Sequence, residues 1–532
     1  MYIYIDPPYN TGNDAFIYKD NYKDSSWLSM LVTRLYFLHN LGSKNAVYFI
    51  SIDDHELSRL TSLVENEFSK GSLLGPIIVQ VNKGGRSYLP IAKTHEYIVC
   101  GTVNTSKSII HEIPKENNGE FKYEDSNGKY VLRELRNRNP KFTRKNRPNL
   151  FYPVYVDFKN ADEYGNCTVS LIKTIKHIIE VVPKNKKGED DCWRWGQNKV
   201  KRYIDSTNPY KSEVVARKKS TGGWNIYEKY RKQTTKAKSI WDESSVRTEN
   251  GTIMLRNLFG SLKFFDNPKP VELVEKCIKI GTNINDIILD FFAGSGTTAH
   301  SVMKLNKEDN GRRKYILIEM DDYFNTIIIP RLKKVCYSFN WKDGKPQDDD
   351  GISQIIKYHY LEQYEDTLHN IDFPKEEKGQ KILDFLSKEE KSEYLIRYML
   401  KFETEDSPSL LNLKQFTNPF EYKLKIISGN NKEEIVNIDL VETFNYLIRL
   451  KINKYCYLTD NGRKYVFVLG EKNYKKVTVV WRSNVDINLE KDKENIDKII
   501  NDFKPEEIYI NGDSLVKNYK PIESEFKSRA GV

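Results

Sequence analysis

Two loops hold side chains whose types and spacing could do chemistry. The first is Ile5-Asp6-Pro7-Pro8-Tyr9-Asn10-Thr11-Gly12. An exocyclic amine of adenine or cytosine is a poor nucleophile because its lone pair is delocalised into the ring. An enzyme alkylating it must hold the nitrogen with acceptors that favour a tetrahedral geometry. A carboxylate and the carbonyl of a following proline supply two acceptors, prolines fix their direction, and an aromatic ring stacks on an extruded base. Asp6, Pro7, Pro8 and Tyr9 offer these groups in that order. The same four residues also read as a proline-stiffened turn with a capping Asp and a core Tyr. So short a string does not choose between the two.

The second loop is Asp290-Phe291-Phe292-Ala293-Gly294-Ser295-Gly296-Thr297-Thr298-Ala299, followed 23 residues after Gly296 by Glu319. Glycines let a ligand approach the backbone, and a carboxylate ending the next strand accepts bonds from ribose hydroxyls. Literally this is G-x-G-x-x-A, which leaves a nicotinamide dinucleotide open. Phe292 as a nucleoside wall, Asp290 as a partner for an amino group, and the companion Asp-Pro-Pro-Tyr loop favour an adenosyl ligand without pyrophosphate.

These loops need strands and helices to place them. Residues 2–5 read as a short strand that stops at Asp6-Pro7-Pro8, since prolines cannot continue a central strand. Leu28, Leu31, Leu35 and Leu38 recur at helical spacing over 25–41, with Asp24 or Ser25 as cap and Gly42 as stop. Ala46–Ile52 reads as a buried strand, and Asp53 with Glu56 resembles a capping box for the helix after it. Glu96–Cys100 is another strand. The same grammar returns as helix Val271–Ile280, strand Asp286–Asp290, helix Thr297–Leu305 and strand Tyr315–Glu319. Alternating strands and helices of this kind build a parallel sheet.

Between them, residues 103–260 carry 32 Lys+Arg and 19 Asp+Glu, a net of +13 against +10 for the whole chain. Tyr152, Trp193, Trp195, Trp224, Tyr227, Tyr230 and Trp241 are interleaved with that charge. The mixture suits a polyanion with stackable bases. A solvated basic surface is the plainer reading. The segment lacks long periodic runs and reads as an inserted domain. Residues 345–532 read as a separate α+β unit, with Leu440, Phe444, Leu447 and Ile448 on one helix face and paired strands at Tyr465–Leu469 and Val477–Arg482.

At 532 residues the chain predicts roughly three to four domains. Its mean hydropathy of −0.64 and the lack of an apolar run of roughly 18–20 residues argue against membrane spans. The N-terminus lacks the basic and apolar regions of a secretory signal. Six scattered cysteines without a CxxC pair argue against a disulfide framework and a cysteine-rich zinc site. The expectation is a soluble, cytoplasmic protein.

Together, Asp6-Pro7-Pro8-Tyr9, the basic insert and the later Asp290–Gly296 loop resemble the β-order DNA adenine-N6 methyltransferases. In that order the catalytic motif precedes the S-adenosylmethionine motif, with target recognition between them. Phe265–Leu273 looks like the family's cofactor-flanking motif. Lys236–Glu243, Arg247–Gly251, Trp341–Pro346, Leu395–Phe402, Asp406–Leu411 and Tyr509–Leu515 look like modification subunits of type III restriction systems, so the likeness runs through nearly the whole chain.

The resemblance implies an α/β fold: a Rossmann-like methyltransferase sheet with an inserted DNA-recognition domain and a C-terminal α+β domain. It divides the chain into a catalytic half (1–102), a target-recognition insert (103–260), a cofactor-binding half (261–344) and the C-terminal unit (345–532). It implies catalysis by Asp6, Pro7, Pro8 and Tyr9. S-adenosylmethionine binding would fall to Lys269, Asp290, Phe292, Ala293, Gly294, Gly296, Thr297 and Glu319, with no metal. Implied partners are double-stranded DNA, a second copy of the chain and an ATP-dependent restriction subunit. Type III modification subunits usually carry a sizeable segment before the catalytic strand, so Met1 is expected to be an internal start or the upstream portion to be missing. The alternatives are a DNA-binding specificity subunit that has lost methylation with that segment, and a cytosine-N4 methyltransferase, which Asp rather than Ser at position 6 disfavours.

Other candidates read more plainly. His95 stands alone at ligand spacing and is expected to be structural. Tyr97 lines the base pocket by resemblance or packs in the sheet. Asp53 and Asp54 are expected to cap a helix, and Asp348-Asp349-Asp350 to form a solvated turn.

Overall fold

The computed structural model describes residues 2–12, 21–43, 46–68, 72–85, 90–103, 110–115, 121–185, 187–260, 265–321, 323–361, 366, 416–427 and 433–530. They fall into two units, Met1–Gln354 and Ile355–Val532.

The first unit begins β1 (Tyr2–Ile5), α1 (Asp24–Leu41), β2 (Val47–Ile52), α2 (Leu57–Glu67), β3 (Leu73–Gln80) and β4 (His95–Thr102). Every residue of β1 and β2 is buried, as expected of strands covered on both faces. The side-chain period of two then sorts β1. Tyr2 and Tyr4 pack with Phe49, Val274 and Ile278 on one face, while Ile3 and Ile5 pack with Trp27, Leu31, Leu35 and Ile50 on the other. The helix expected over 25–41 forms and ends at Gly42, but its N-cap is Lys23 and no side chain caps it.

The chain continues through β5 (Ile113–Pro114), β6 (Tyr123–Asp125), β7 (Gly128–Glu134), β8 (Val154–Ala161), β9 (Cys167–Ser170), β10 (Ile179–Val181), α3 (Gln197–Tyr203), β11 (Val214–Lys218), β12 (Trp224–Tyr230) and β13 (Thr234–Thr235). Strands β6 to β12 form a second, seven-stranded sheet in the order β10-β8-β9-β11-β12-β7-β6. Its core holds Tyr152, Val154, Val156, Val169, Trp193, Val214, Ala216 and Ile226. The entry strand β5 pairs antiparallel with the exit strand β13. The sheet is an insertion on a two-stranded stalk.

After it come β14 (Ile240–Trp241), α4 (Thr248–Phe259), α5 (Val271–Gly281), β15 (Ile287–Asp290), α6 (Thr297–Asp309), β16 (Lys314–Leu317) and α7 (Ile329–Tyr337). Strand β14 pairs in parallel with β3 and belongs to the first sheet. An insert bounded at 103 and 260 therefore includes too much: the chain has rejoined the central sheet by Ile240. Two of its aromatics, Tyr152 and Trp193, fill the insert's own core, and Trp241 is buried in the central sheet. These three rings are unavailable for stacking on bases.

The central sheet has the order β14-β3-β4-β2-β1-β15-β16, with β4 antiparallel to both neighbours and the other pairings parallel. From β1 the chain winds through α1 to β2 on one side. From β15 it winds through α6 to β16 on the other. The reversal falls between β1 and β15, where an open α/β sheet leaves a crevice beyond its carboxyl ends.

In the second unit, strands Lys451–Asp460, Arg463–Lys472, Lys475–Arg482, Glu507–Ile510 and Lys520–Pro521 form one sheet. Asn461 and Gly462, both at positive φ, make the tight turn between the first two. Arg482 and Asp492 form a fully buried ion pair at 3.1 Å between the sheet and helix Leu489–Phe503. Motif residues Leu395–Phe402 and Asp406–Leu411 lie outside the described residues. No helix among the described residues is long and apolar enough to cross a membrane.

Candidate active site

The register of the central sheet puts five carboxylates at one edge. Asp6 follows β1 and Asp53 follows β2, while Glu96 lies at the start of antiparallel β4. Asp290 ends β15, and Glu319 stands two residues beyond β16. Pairings Ile5↔Ile50, Ile52↔Tyr97, Ile3↔Leu289 and Asp290↔Leu317 align these ends.

After β1, the prolines turn the chain sharply and both are buried. Trp27 Nε1 donates to the Pro8 carbonyl at 2.8 Å, anchoring the loop to α1. Asn10, at φ 57, donates to Glu56 at 2.7 Å and accepts from the Tyr22 amide at 2.7 Å. The Tyr9 hydroxyl donates to Glu96 at 3.2 Å. Lys269 Nζ lies 3.1 Å from Asp6 Oδ1, 3.7 Å from Glu96 and 4.7 Å above the centre of the Tyr9 ring. That ammonium compensates the charge of the buried Asp6 oxygen. Burial by itself would lower the Lys269 pKa; the Asp6 and Glu96 carboxylates outweigh it and hold it above the usual lysine value. Burial, then the same two acids, push the Tyr9 phenol well above its usual range, so it stays a neutral donor.

The glycine loop is built around its carboxylates. Asp290 Oδ1 accepts from the Phe292 amide at 3.0 Å and Oδ2 from the Thr298 hydroxyl at 2.5 Å. Burial pushes the Asp290 carboxyl up to about 7. Gly294 and Gly296 have φ 51 and 77, and a Cβ on Gly294 would come within 3.2 Å of the Phe265 ring. Glu319 Oε2 accepts from the Gly294 amide at 2.7 Å, and Oε1 from the Met320 and Asp321 amides at 2.9 and 3.1 Å. Burial raises its pKa against the pull of these three donors. Ala293 is buried and its carbonyl accepts from Gly296. Phe292 is partly buried against the α1 side of the core, with the Arg34 guanidinium 5.4 Å from its ring centre.

All the residues expected in the site lie along this edge, but three have contacts the sequence did not suggest. The side chain of Lys269 joins the Asp6 loop, and only its carbonyl reaches the glycine loop, accepting from Thr297 at 3.3 Å. Asp290 and Glu319 use their oxygens largely to hold the loop. Glu96 and Arg331 went unsuggested. Arg331 is fully buried and donates to the Ser295 carbonyl and to the Ser295 and Thr297 hydroxyls, each at 3.0 Å. Burial takes its pKa down to about 9 and that of neighbouring His300 well below its usual value. Asp53 does not cap α2, whose N-cap is Glu56 without a side-chain bond; it accepts from the His55 amide at 3.0 Å and pairs with Lys93 at 3.2 Å. His95 Nε2 meets the Tyr97 hydroxyl at 2.9 Å. Asp348 accepts from the Ser338 hydroxyl at 2.5 Å, and Asp350 pairs with Lys307 at 2.5 Å.

A central sheet that reverses its winding between an Asp-Pro-Pro-Tyr loop and a glycine loop defines a Rossmann-like α/β protein of the methyltransferase type. Residues 1–330 match the DNA methylase family N6_N4_Mtase, and the chain belongs to it. It is 32% identical over 370 residues to the type III restriction-modification enzyme EcoPI Mod subunit of Escherichia phage P1, covering 61% of this chain and 54% of that subunit. To the type II methyltransferase M.KpnI of Klebsiella pneumoniae it is 34% identical over 331 residues, 60% of this chain and 74% of that enzyme. To the EcoP15I Mod subunit of Escherichia coli it is 27% identical, over 60% of this chain and 55% of that subunit. The chain thus spans about half the length of these two type III relatives.

Proposed function

We propose that this chain transfers a methyl group from S-adenosylmethionine to adenine N6 within a short duplex site, as the modification subunit of a type III restriction-modification system. One observation carries the reading: the Asp6 loop and the glycine loop leave adjacent parallel strands, about 5 Å apart, at the reversal of the sheet.

The residues fit the cofactor. Gly294 and Gly296 leave the loop backbone open to a nucleoside, Phe292 stands beside it, and Glu319, with Ala293, Thr297 and Asp290, fixes its path. Bound S-adenosylmethionine would supply a sulfonium-activated methyl group. Asp6 Oδ1, which faces the Lys269 ammonium at 3.1 Å, is suited to accept one N–H of the target amine in its place. The Pro7 carbonyl, which no donor reaches among the described residues, accepts the other, while Trp27 holds the Pro8 carbonyl and so the direction of the loop. These acceptors draw the nitrogen lone pair out of the ring and stabilise the positive charge it gains on methylation. The Tyr9 ring stacks on the extruded base. Lys269, displaced from Asp6 by that amine, retains Glu96.

The insert serves as the target-recognition domain, its role supported by the +13 charge of the surrounding segment. The likeness to Mod subunits of type III restriction-modification enzymes supports a restriction-subunit partner, and the proposal includes a homodimer acting in the cytoplasm. The test is to expose unmethylated DNA to the protein and S-adenosylmethionine and sequence the modified bases. N6-methyladenine at one recurring site is expected. N4-methylcytosine, or no modification, would overturn the reading.

A further inference from the structure

We propose that the loop between β9 and β10 is an apolar wedge that enters the base stack of duplex DNA, an inference that rests on reading this chain as a DNA-binding protein. Ile172, Ile175 and Ile178 on this loop are 74%, 97% and 51% exposed, and Phe158 on neighbouring β8 is 44% exposed. Large aliphatic side chains this exposed and this close in sequence mark a contact surface.

The loop is ordered by its own bonds. The Thr174 hydroxyl accepts from the His177 amide at 3.0 Å and lies 3.0 Å from His177 Nδ1, while the Thr174 amide donates to the His177 carbonyl at 3.3 Å. His177 is buried, and the Ser170 hydroxyl accepts from the Ile172 amide at 3.0 Å. The imidazole and hydroxyl thus form the base from which the isoleucines project.

Charge selects the occupant. Phe158, Ile172 and Ile175 are each followed directly by an exposed lysine: Lys159, Lys173 and Lys176. The core of a protein–protein interface is depleted of lysine. A duplex presents the opposite demand, an apolar residue between base steps and cations for the phosphates on either side. Isoleucine is among the side chains that unstack and kink DNA in this way.

The two residue types should separate in a salt titration of the full chain. Binding is measured to a fully paired duplex and to the same duplex with a central abasic site, whose gap a wedge fills without unstacking. The wild type should prefer the abasic duplex by about tenfold. Ile172→Ala, Ile175→Ala and Ile178→Ala combined should abolish that preference and weaken binding by a similar factor at every salt concentration, leaving the slope unchanged. Lys173→Gln and Lys176→Gln should each reduce the slope of log K against log salt by about 0.9. Melting followed by circular dichroism verifies that these surface variants stay folded. Wild-type binding to both duplexes by the isoleucine variant overturns the wedge while leaving the DNA reading intact. A changed oligomeric state with unchanged DNA binding overturns it in favour of a protein interface. A wild-type chain that binds no duplex overturns both.

Discussion

Asp6→Ala separates chemistry from folding at the proposed site. The Asp6 side chain is 28% exposed and its one ion-pair contact among the described residues is Lys269 at 3.1 Å. Lys269 keeps a second carboxylate, Glu96, at 3.7 Å, so the ammonium is not stranded when Asp6 is removed. For a partly solvated pair with a remaining partner the stability cost should be about 1 kcal/mol. The catalytic cost is larger. In the proposed mechanism Asp6 faces the nitrogen where positive charge develops, and losing one preorganised group of that kind reduces the rate by about 10²–10³. Single-turnover transfer of labelled methyl at saturating cofactor and DNA measures the rate without contribution from product release. Calorimetric melting and DNA binding, measured alongside, should be nearly unchanged. Asp6→Asn, which keeps an acceptor oxygen without the charge, should fall between. A near-normal single-turnover rate for Asp6→Ala would remove Asp6 from the mechanism, whatever happened to stability.

Glu319→Ala should weaken S-adenosylmethionine binding, measured by titration calorimetry, far more than it slows transfer at saturation, because the Gly294, Met320 and Asp321 amides lose their acceptor; binding of NAD but not S-adenosylmethionine would refute the cofactor. Asp290 titrates at about 7 in the fold against about 3.9 unfolded, so its ionisation penalises the folded state: the penalty is absent below the unfolded value, grows as pH rises and is complete above about 7. Asp290→Asn should therefore stabilise the protein at pH 8, by at most about 4 kcal/mol, and match the wild type near pH 4; equal melting temperatures at pH 8 would show that the carboxylate is fully compensated. Arg331→Met should lower stability by about 2–4 kcal/mol and loosen cofactor binding together, since three loop acceptors lose their charged donor. Exchanging residues 113–235 for those of a relative with another site should move the methylated sequence with them, as read by sequencing modified bases; methylation at the original site would refute the insert as the recognition domain.

Much of the central sheet is legible because its strands are short, fully buried apolar runs closed by Pro, Gly or Asp. Tyr2–Ile5 and Val47–Ile52 are of this kind, and both loops follow directly from where such runs stop. The misreadings share a cause, local pattern set against distant partners. Asp53 has the spacing of a capping box, but Lys93, 40 residues away, sits against its carboxylate. Arg331 looks like a surface residue of an amphipathic helix until α7 packs it beneath Ser295. Glu96 lies in a strand in the sequence and faces Tyr9 and Lys269 only because β4 runs antiparallel beside β2. The insert's seven strands were unreadable for a different reason. Several are only three to five residues long, too short for a period of two to stand out from the turns around them.

Under the proposed function, the attachment of the insert explains how one sheet can combine fixed chemistry with a separate reading surface. Ile113–Pro114 and Thr234–Thr235 pair with each other, so the inserted sheet leaves and returns at one place. Strand β4 before it and β14 after it lie on the same side of β1, with β14 at the far edge of the central sheet. The crevice between β1 and β15 is therefore made without any strand of the insert, and the insert's core closes on its own residues. Changes to its exposed side chains can alter what is bound without moving Asp6 relative to Gly294. The converse holds for the site: Trp27, Lys269 and Arg331 fix its two loops through contacts confined to residues outside 113–235. The proposed recognition and methyl transfer could then change independently, provided the stalk keeps the target base within reach of Tyr9.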